Sequence, residues 1–495
     1  MKALFRHYPI LLLALWFAGM SVLLDRSVAI FGQRTTADTT SLATPAPWRQ
    51  SRLFVDPDSY AWLSYARDLR ASSHFRVRFT PLDNAPFGRA VHWAQLPVWG
   101  LCAIASALEC VGIPPPGSLE LAGRILLPLL GFLLFSGVWL FLRRRIPPQW
   151  AALVVLAAAV TLFWDFHPLR PDHHGFHLAA AFCFALPLLF SSFGFGAASA
   201  RDFRPYVLSG VFGGCALWLG ATVFYFNLAA ASAALFLALL PRRAAGTPPQ
   251  NPLVWRFWGF SGAAASLFFW LLEYAPNHFS MRLEVNHPLY ALSFLGVGET
   301  LFWIARYRHV SPTLSPLRIA HLLLALAAAA LLPALILFGP VDWYIPRSTL
   351  MLRLHARYIH EFLPLHVFAP QNGRRFLPAL LLAVGPGLAA LALLLLHAKR
   401  MEGHPLLQRR AFFALPFFAL CWALFLGHFR WEHFAALAAF LPVLTVANDA
   451  PVFPSRSRLL LALAVAAQLA ASLWGQCSPL PGFFRETRTD TVYLL

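Results

Sequence analysis

The chain alternates apolar stretches of membrane length with short polar gaps. Such runs recur at 9–24, 123–142, 150–164, 175–193, 206–222, 223–240, 257–272, 289–305, 317–339, 377–397, 411–427, 431–447 and 459–474. A helix needs about 20 apolar residues to cross the hydrocarbon core of a bilayer. Within lipid, every backbone N–H and C=O must be satisfied inside the segment, so these runs predict helices. The expected fold is therefore all-α, a polytopic transmembrane helical protein.

The polar gaps assign sides. Arginine gathers at Arg143-Arg144-Arg145, Arg201 with Arg204, Arg242-Arg243, 306–309, Lys399-Arg400 with Arg409-Arg410, and Arg456 with Arg458. If these gaps face the cytoplasm, the spans between them come in pairs, and the last span leaves the C-terminus outside. The stretch 93–112 is apolar too, but it holds Pro97 and Glu109 and ends in Pro114-Pro115-Pro116. Were it to span, Arg143-Arg144-Arg145 would lie outside. It is read as a helix at, or dipping into, the membrane surface. The count is then about 13 spans, with a long first external loop containing surface helices. External loops fall at about 25–120, 165–174, 273–288 and 340–376, and long irregular loops are often functional. The organisation is one membrane domain, 1–474, and a short external tail, 475–495. The first span follows Lys2, Arg6 and His7 with no small-x-small site close behind, and is read as an uncleaved anchor.

Composition agrees. Hydrophobic residues make up 59% of the chain and charged residues 12%, against about 25% charged in soluble proteins. The net charge of +18 is accounted for by the basic gaps and implies no nucleic-acid partner. The six cysteines form no CxxC and no Cys/His zinc pattern. No G-x-x-x-x-G-K-[ST], G-x-S-x-G or H-E-x-x-H is present, which argues against the matching nucleotide, serine-hydrolase and metalloprotease sites.

Acidic residues are few, so those in external gaps carry weight. Asp58, in the segment DPDSY, opens DSYAWLSYARDL, where Tyr60, Leu63, Ala66 and Leu69 keep helical spacing. A simple helix cap is the plain alternative for it. In RPDHH, Asp172 and His174 stand two apart before the helix GFHLAAAFCFALPLLF, so both can point into one site. A carboxylate with an imidazole suits a divalent cation, Mn²⁺ or Mg²⁺, with Mn²⁺ the better match to nitrogen. His167, His173 and His177 nearby also allow zinc, and a polar interfacial turn is the bland alternative. Glu361 lies in ARYIHEFLPL in the second long external loop. Arg430, in GHFRWEHF, is unusual in a short external gap; it suits a bidentate clamp on phosphate or a lipid-headgroup contact. Arg89, His173, Glu284, Asn286 and His287 are further possible substrate contacts.

Taken together, these motifs resemble the catalytic subunit of oligosaccharyltransferases, within the C-type (GT-C) membrane glycosyltransferases. That family has an Asp at the start of a D-x-Y helix, matched by Asp58 in DSYAWLSYARD. Its P-x-G-R is matched by Pro86-Phe87-Gly88-Arg89, and its D-x-D, D-x-E or D-x-H by Asp172 and His174. A late-loop Glu in a motif like T-I-x-E is matched loosely by Tyr358-Ile359-His360-Glu361, and a late Arg by Arg430. The resemblance covers roughly 8–474. It implies that Asp58, Asp172 and His174 hold the metal, that Glu361 approaches the metal or the acceptor, and that Arg430 binds donor phosphate. Asp58 and Glu361 would be catalytic. The donor would be a sugar or oligosaccharide on a polyprenyl phosphate or pyrophosphate. The family's C-terminal external domain carries W-W-D-Y-G and reads an acceptor sequon; about 20 residues follow the last span here, without that motif. The acceptor, a glycan, lipid or protein, stays open. The implied setting is a bacterial inner (plasma) membrane with the active site on the external, periplasmic face. Two other readings differ in kind. A lipid-linked glycan transporter or flippase needs ionisable groups near the bilayer midplane. A non-catalytic glycan- or lipid-binding membrane protein tolerates loss of Asp172 and His174.

Overall fold

The computed structural model describes residues 8–24, 54, 57–72, 74–82, 86–115, 117–241, 248–274, 281–310, 313, 315–357, 363–367 and 376–477. The chain divides into two compact units. The first comprises Met1–Arg144, Pro148–Phe176 and Ala466–Leu495, and the second Arg145–Pro147 and His177–Val465. Among the described residues, six helices are long and apolar enough to cross a membrane, and further apolar helices are shorter. The chain is a multi-pass, all-helical membrane protein, with one two-stranded hairpin among its described residues.

In the first unit, α1 (Tyr8–Leu24) is followed by α2 (Pro57–Ala71), the antiparallel strands β1 (Phe79–Thr80) and β2 (Arg89–Ala90), α3 (Leu96–Cys110), α4 (Gly117–Leu142) and α5 (Pro148–Thr161). The stretch read as a surface or dipping helix is α3: its 15 residues reach about 22 Å, less than the hydrocarbon core. It lays Pro97, Val98, Leu101 and Ala105 against protein, packing on α2 and α4. Glu109, at its far end, pairs with Arg70 of α2 at 2.5 Å. Phe17 of α1 meets Phe135 of α4 (6.3 Å between ring centres) and Phe163 and Phe166 (5.9 and 6.4 Å). This aromatic core fixes the 3-10 turn Phe163–Phe166 that follows α5.

The second unit holds most of α6 (His174–Leu189), then α7 (Ala200–Leu239), α8 (Leu253–Tyr274), α9 (Pro288–His309), α10 (Pro316–Phe338), α11 (Thr349–Arg357), α12 (Phe376–Leu396), α13 (Pro405–Gly427), α14 (Glu432–Asn448) and the first half of α15 (Ser455–Cys477). The pattern predicts two spans at 206–222 and 223–240. The structure has one run of 40 helical residues, broken at Gly220 (φ −162°, ψ 79°). Unbroken, 40 residues would extend about 60 Å. Yet the two ends lie close together. The Tyr206 hydroxyl accepts from the Gly194 amide at 2.6 Å, the next ring, Phe195, lies 4.3 Å from the Arg409 guanidinium, and Arg409 donates to the Ala238 carbonyl at 2.7 Å. The chain therefore turns back at Gly220, and the expected pair of spans is a helical hairpin. Buried Arg409 also donates to Pro241 O, and the His309 ring meets Leu239 O at 2.9 Å. These groups satisfy the last carbonyls of α7 where its dipole favours positive charge.

Candidate active site

The acidic cluster belongs to the first unit. After the turn Phe163–Phe166, the chain passes through a further turn and Arg170–His173 without regular structure and enters α6 at His174. Gly175 permits this approach: a Cβ there would stand 2.6 Å from the Asp165 carbonyl oxygen. The result is a buried loop carrying Asp165, His167, Asp172, His173 and His174.

Asp172 is the centre, at 2% exposure. Its Oδ1 accepts from its neighbour's backbone, His173 N, at 2.6 Å and lies 2.5 Å from His173 Nδ1. The same oxygen accepts from the indole N–H of Trp62, 3.1 Å away. Its Oδ2 faces His174 Nε2 at 3.3 Å and Arg170 Nη2 at 3.4 Å. Burial by itself would push the Asp172 carboxyl up, but His173, His174 and Arg170 hold it well below the usual range. Asp165 goes the other way: burial pushes it up to about 7, against the pull of Arg170. Burial, and Arg170 beside it, push His167 down to about 3, and its Nδ1 accepts from Leu169 N. Asp172 thus stays anionic in a pocket where His167 stays neutral.

Asp172, His173 and His174 present ligand atoms that all lie within 4.8 Å of one another. Ligands to one ion, each about 2.0–2.2 Å from it, stand at most about 4.4 Å apart. Asp172 Oδ2 and His174 Nε2 satisfy this, and the mixed carboxylate–imidazole set suits Mn²⁺ or a similar cation. His173, expected among substrate contacts, lies against Asp172 and under Trp93, with ring centres 4.7 Å apart.

Asp58 is exposed in the first turn of α2. It is not one of the grouped residues, but its helix is tied to them, since Trp62 sits one turn further along. Arg89 is exposed on β2, opposite Thr80. Trp62 and Arg170 were not singled out by the sequence. The signal for Trp62 was its i+4 spacing from Asp58, and for Arg170 its place two residues before Asp172.

A second polar group belongs to the second unit. Arg430 sits half-buried on the 3-10 turn Phe429–Trp431 between α13 and α14. The Tyr344 hydroxyl is pushed up to about 12, chiefly by burial; Arg430 pulls it down and Glu284 raises it, so all three share one electrostatic neighbourhood. Glu284 also accepts from Arg282 at 2.8 Å. The amide of Phe429 donates to Leu363 O at 3.0 Å, pinning the second long loop to the Arg430 turn. Glu361 lies outside the described residues. Asn286 spends both ends of its amide on Ser266, at 2.8 Å each, and His287 caps α9 by accepting from Leu289 N. These two hold the loop to α8 and α9. His177, one turn into α6, meets the Leu219 carbonyl at 3.0 Å, beside the break at Gly220. A Cβ at Gly220 would stand 2.5 Å from that ring nitrogen.

No family model matches the chain, and no curated protein matches it in sequence. Its fold is that of solved structures of the oligosaccharyltransferase AglB from Archaeoglobus fulgidus. A complex with an inhibitory peptide and a dolichol-phosphate is 18% identical with a TM-score of 0.58, over 92% of this chain and 56% of that one. A form tethered with an acceptor peptide containing the NVT sequon is 17% identical with a TM-score of 0.59, over 93% and 55%. A complex with Zn and sulfate is 16% identical with a TM-score of 0.55, over 96% and 52%. The chain spans about half the length of those proteins.

Proposed function

We propose that the protein is a membrane glycosyltransferase that moves a sugar or oligosaccharide from a polyprenyl phosphate or pyrophosphate to an acceptor on the extracytoplasmic face. The observation that carries this is the buried Asp172 carboxylate beside His174, on a fold shared with AglB structures, one of which holds dolichol-phosphate. The reaction is displacement at an anomeric carbon. The acceptor's nucleophilic atom forms a bond to that carbon, the carbon–oxygen bond to phosphate breaks, and the phosphate leaves with the electron pair. Its charge must be neutralised as it develops.

Asp172 and His174, with Asp58, would hold a divalent cation, which when bound supplies Lewis-acid charge stabilisation. Arg430 binds the donor phosphate through its planar fork of donors. Its place on a turn between two helices, only half-buried, supports this role. Asp58 or Glu361 orients the acceptor and takes its proton. Glu361 stands two residues before Leu363, which is bonded to the turn carrying Arg430. The acceptor is a glycan, a lipid or a protein.

The test is to delete the gene and identify the lipid-linked glycan that builds up, then to assay that glycan with purified protein. Accumulation, with transfer restored by wild type and not by Asp172→Ala, is expected. A deletion strain with an unchanged lipid-linked pool, or full transfer by Asp172→Ala, overturns the proposal.

A further inference from the structure

The indole of Trp62 makes a contact that packing alone does not require. Trp62 is 3% exposed and Asp172 2%, and the bond between them joins residues 110 apart in sequence. The ring is surrounded by Trp93, Tyr65 and His173, with centres 6.2, 6.0 and 5.5 Å away. A phenyl ring would fill much of that space. The chain also leaves other buried indole N–H groups unpaired among the described residues, at Trp16, Trp139, Trp255 and Trp431. Pairing an indole with this carboxylate is therefore a specific feature of the site.

The two carboxylate oxygens are used differently. Oδ1 accepts from the Trp62 indole and the His173 backbone, and the His173 ring nitrogen Nδ1 lies 2.5 Å from it. The indole and the backbone amide are donors that cannot turn into acceptors. Oδ2 faces His174 Nε2 and Arg170 Nη2. The indole thus fixes the carboxylate rotamer and selects which oxygen is presented beside His174. It also ties α2 to the loop one turn beyond Asp58, since residues four apart share a helix face.

We infer that Trp62 is a positioning residue for a cation site at Asp172 and His174, acting through its indole N–H rather than its bulk. This rests on the reading of Asp172 as a metal ligand. Partners of this kind orient ligands without touching the ion, and their loss typically lowers metal affinity about 10–100-fold.

The test titrates Mn²⁺ into purified full-length protein and follows free Mn²⁺ by electron paramagnetic resonance, with a thermal unfolding scan on each variant. Trp62→Phe keeps the aromatic packing and removes the N–H; Trp62→His keeps a donor in a smaller ring. The expected result is a 10–100-fold weaker Mn²⁺ affinity in Trp62→Phe, with part of it recovered in Trp62→His and both proteins unfolding near the wild-type temperature. Wild-type affinity in Trp62→Phe overturns the inference, as does an equal loss in both variants, which would assign the effect to lost volume. Asp172→Ala separates the two levels. If it binds Mn²⁺ like wild type, the metal-site reading itself fails. If it loses Mn²⁺ while Trp62→Phe does not, only the role of Trp62 fails.

Discussion

The Asp172 cluster and the Arg430 turn carry opposite charge and are built in opposite ways. Asp172 is buried, and each of its oxygens already faces groups of the same unit: Trp62 and His173 on one, His174 and Arg170 on the other. Arg430 is half-buried on a turn of 3 residues, with Tyr344 and Glu284 in electrostatic reach. A buried carboxylate must be compensated where it stands, because desolvation of an unpaired charge is costly. Such a site is preorganised and admits something small. An arginine half-buried at the edge of a turn is a different setting from a fully buried carboxylate. The difference is one of compensation: the Asp172 carboxylate is balanced by its own buried neighbours, and the Arg430 turn lies partly at the surface; the proposed function assigns the first to a cation and the second to the donor's phosphate.

The strongest way to break this comparison is Asp172→Ala. Losing the proposed Lewis-acid site would remove several kcal/mol of charge stabilisation, about 10³-fold in rate. Transfer assayed at saturating donor should fall by that order, and a loss under tenfold would contradict the assignment. Arg430→Ala should cost less, about 10²-fold, as for one preorganised donor. If it meets the donor as proposed, part of the loss should appear as a raised KM for the lipid-linked sugar. Arg430→Lys restores charge but not the bidentate fork, so it should recover only part. Donor titrations of both variants check this.

Arg170→Gln sharpens the comparison from the other side. Arg170 already neutralises Asp172 Oδ2 from 3.4 Å and would repel an incoming cation. Its removal should tighten Mn²⁺ binding by about 1 kcal/mol, roughly fivefold at a high effective dielectric. Weaker binding, measured by the same titration, would mean that Arg170 supports the site rather than competes for it. The smallest effect concerns stability. Asp165 stays protonated up to about 7, against an ordinary value of 3.8. Its contribution is full below the ordinary value and is lost as pH rises through about 7. His167, at about 3 against 6.5, has the opposite sign: its contribution is full above 6.5 and is lost as pH falls towards 3. Asp165→Asn should flatten the decline in unfolding temperature between about pH 4 and 7, a difference of a few degrees. An unchanged slope would mean that Asp165 is ionised in the folded protein.

Much of the helix pattern was legible in the sequence. The helix at 93–112 and the two helical segments on either side of 222 followed from apolar runs between polar gaps. The exact break at Gly220 was not legible, because nothing local marks the His177 ring that occupies the space a Cβ would need. In the site, Asp172 and His174 were readable from a two-residue spacing at the start of a helix. Asn286 and His287 were polar in a polar gap and so suggested substrate contacts; the structure shows that they also bond Ser266 and Leu289 within the fold. Composition alone does not reveal such internal pairing.

What the sequence determined by itself is the set of helices and their apolar faces. In lipid the backbone must satisfy itself locally, so hydropathy and length are nearly sufficient. What only the tertiary structure decided is which polar groups meet. The bond from Trp62 to Asp172 closes a loop of 110 residues, and the tie from Phe429 to Leu363 joins two loops separated by α12 and α13. Contacts of this kind depend on how helices pack across the whole chain. No short window of residues carries that information, and for that reason the indole at position 62 read as one more apolar helix residue until it was seen against the carboxylate.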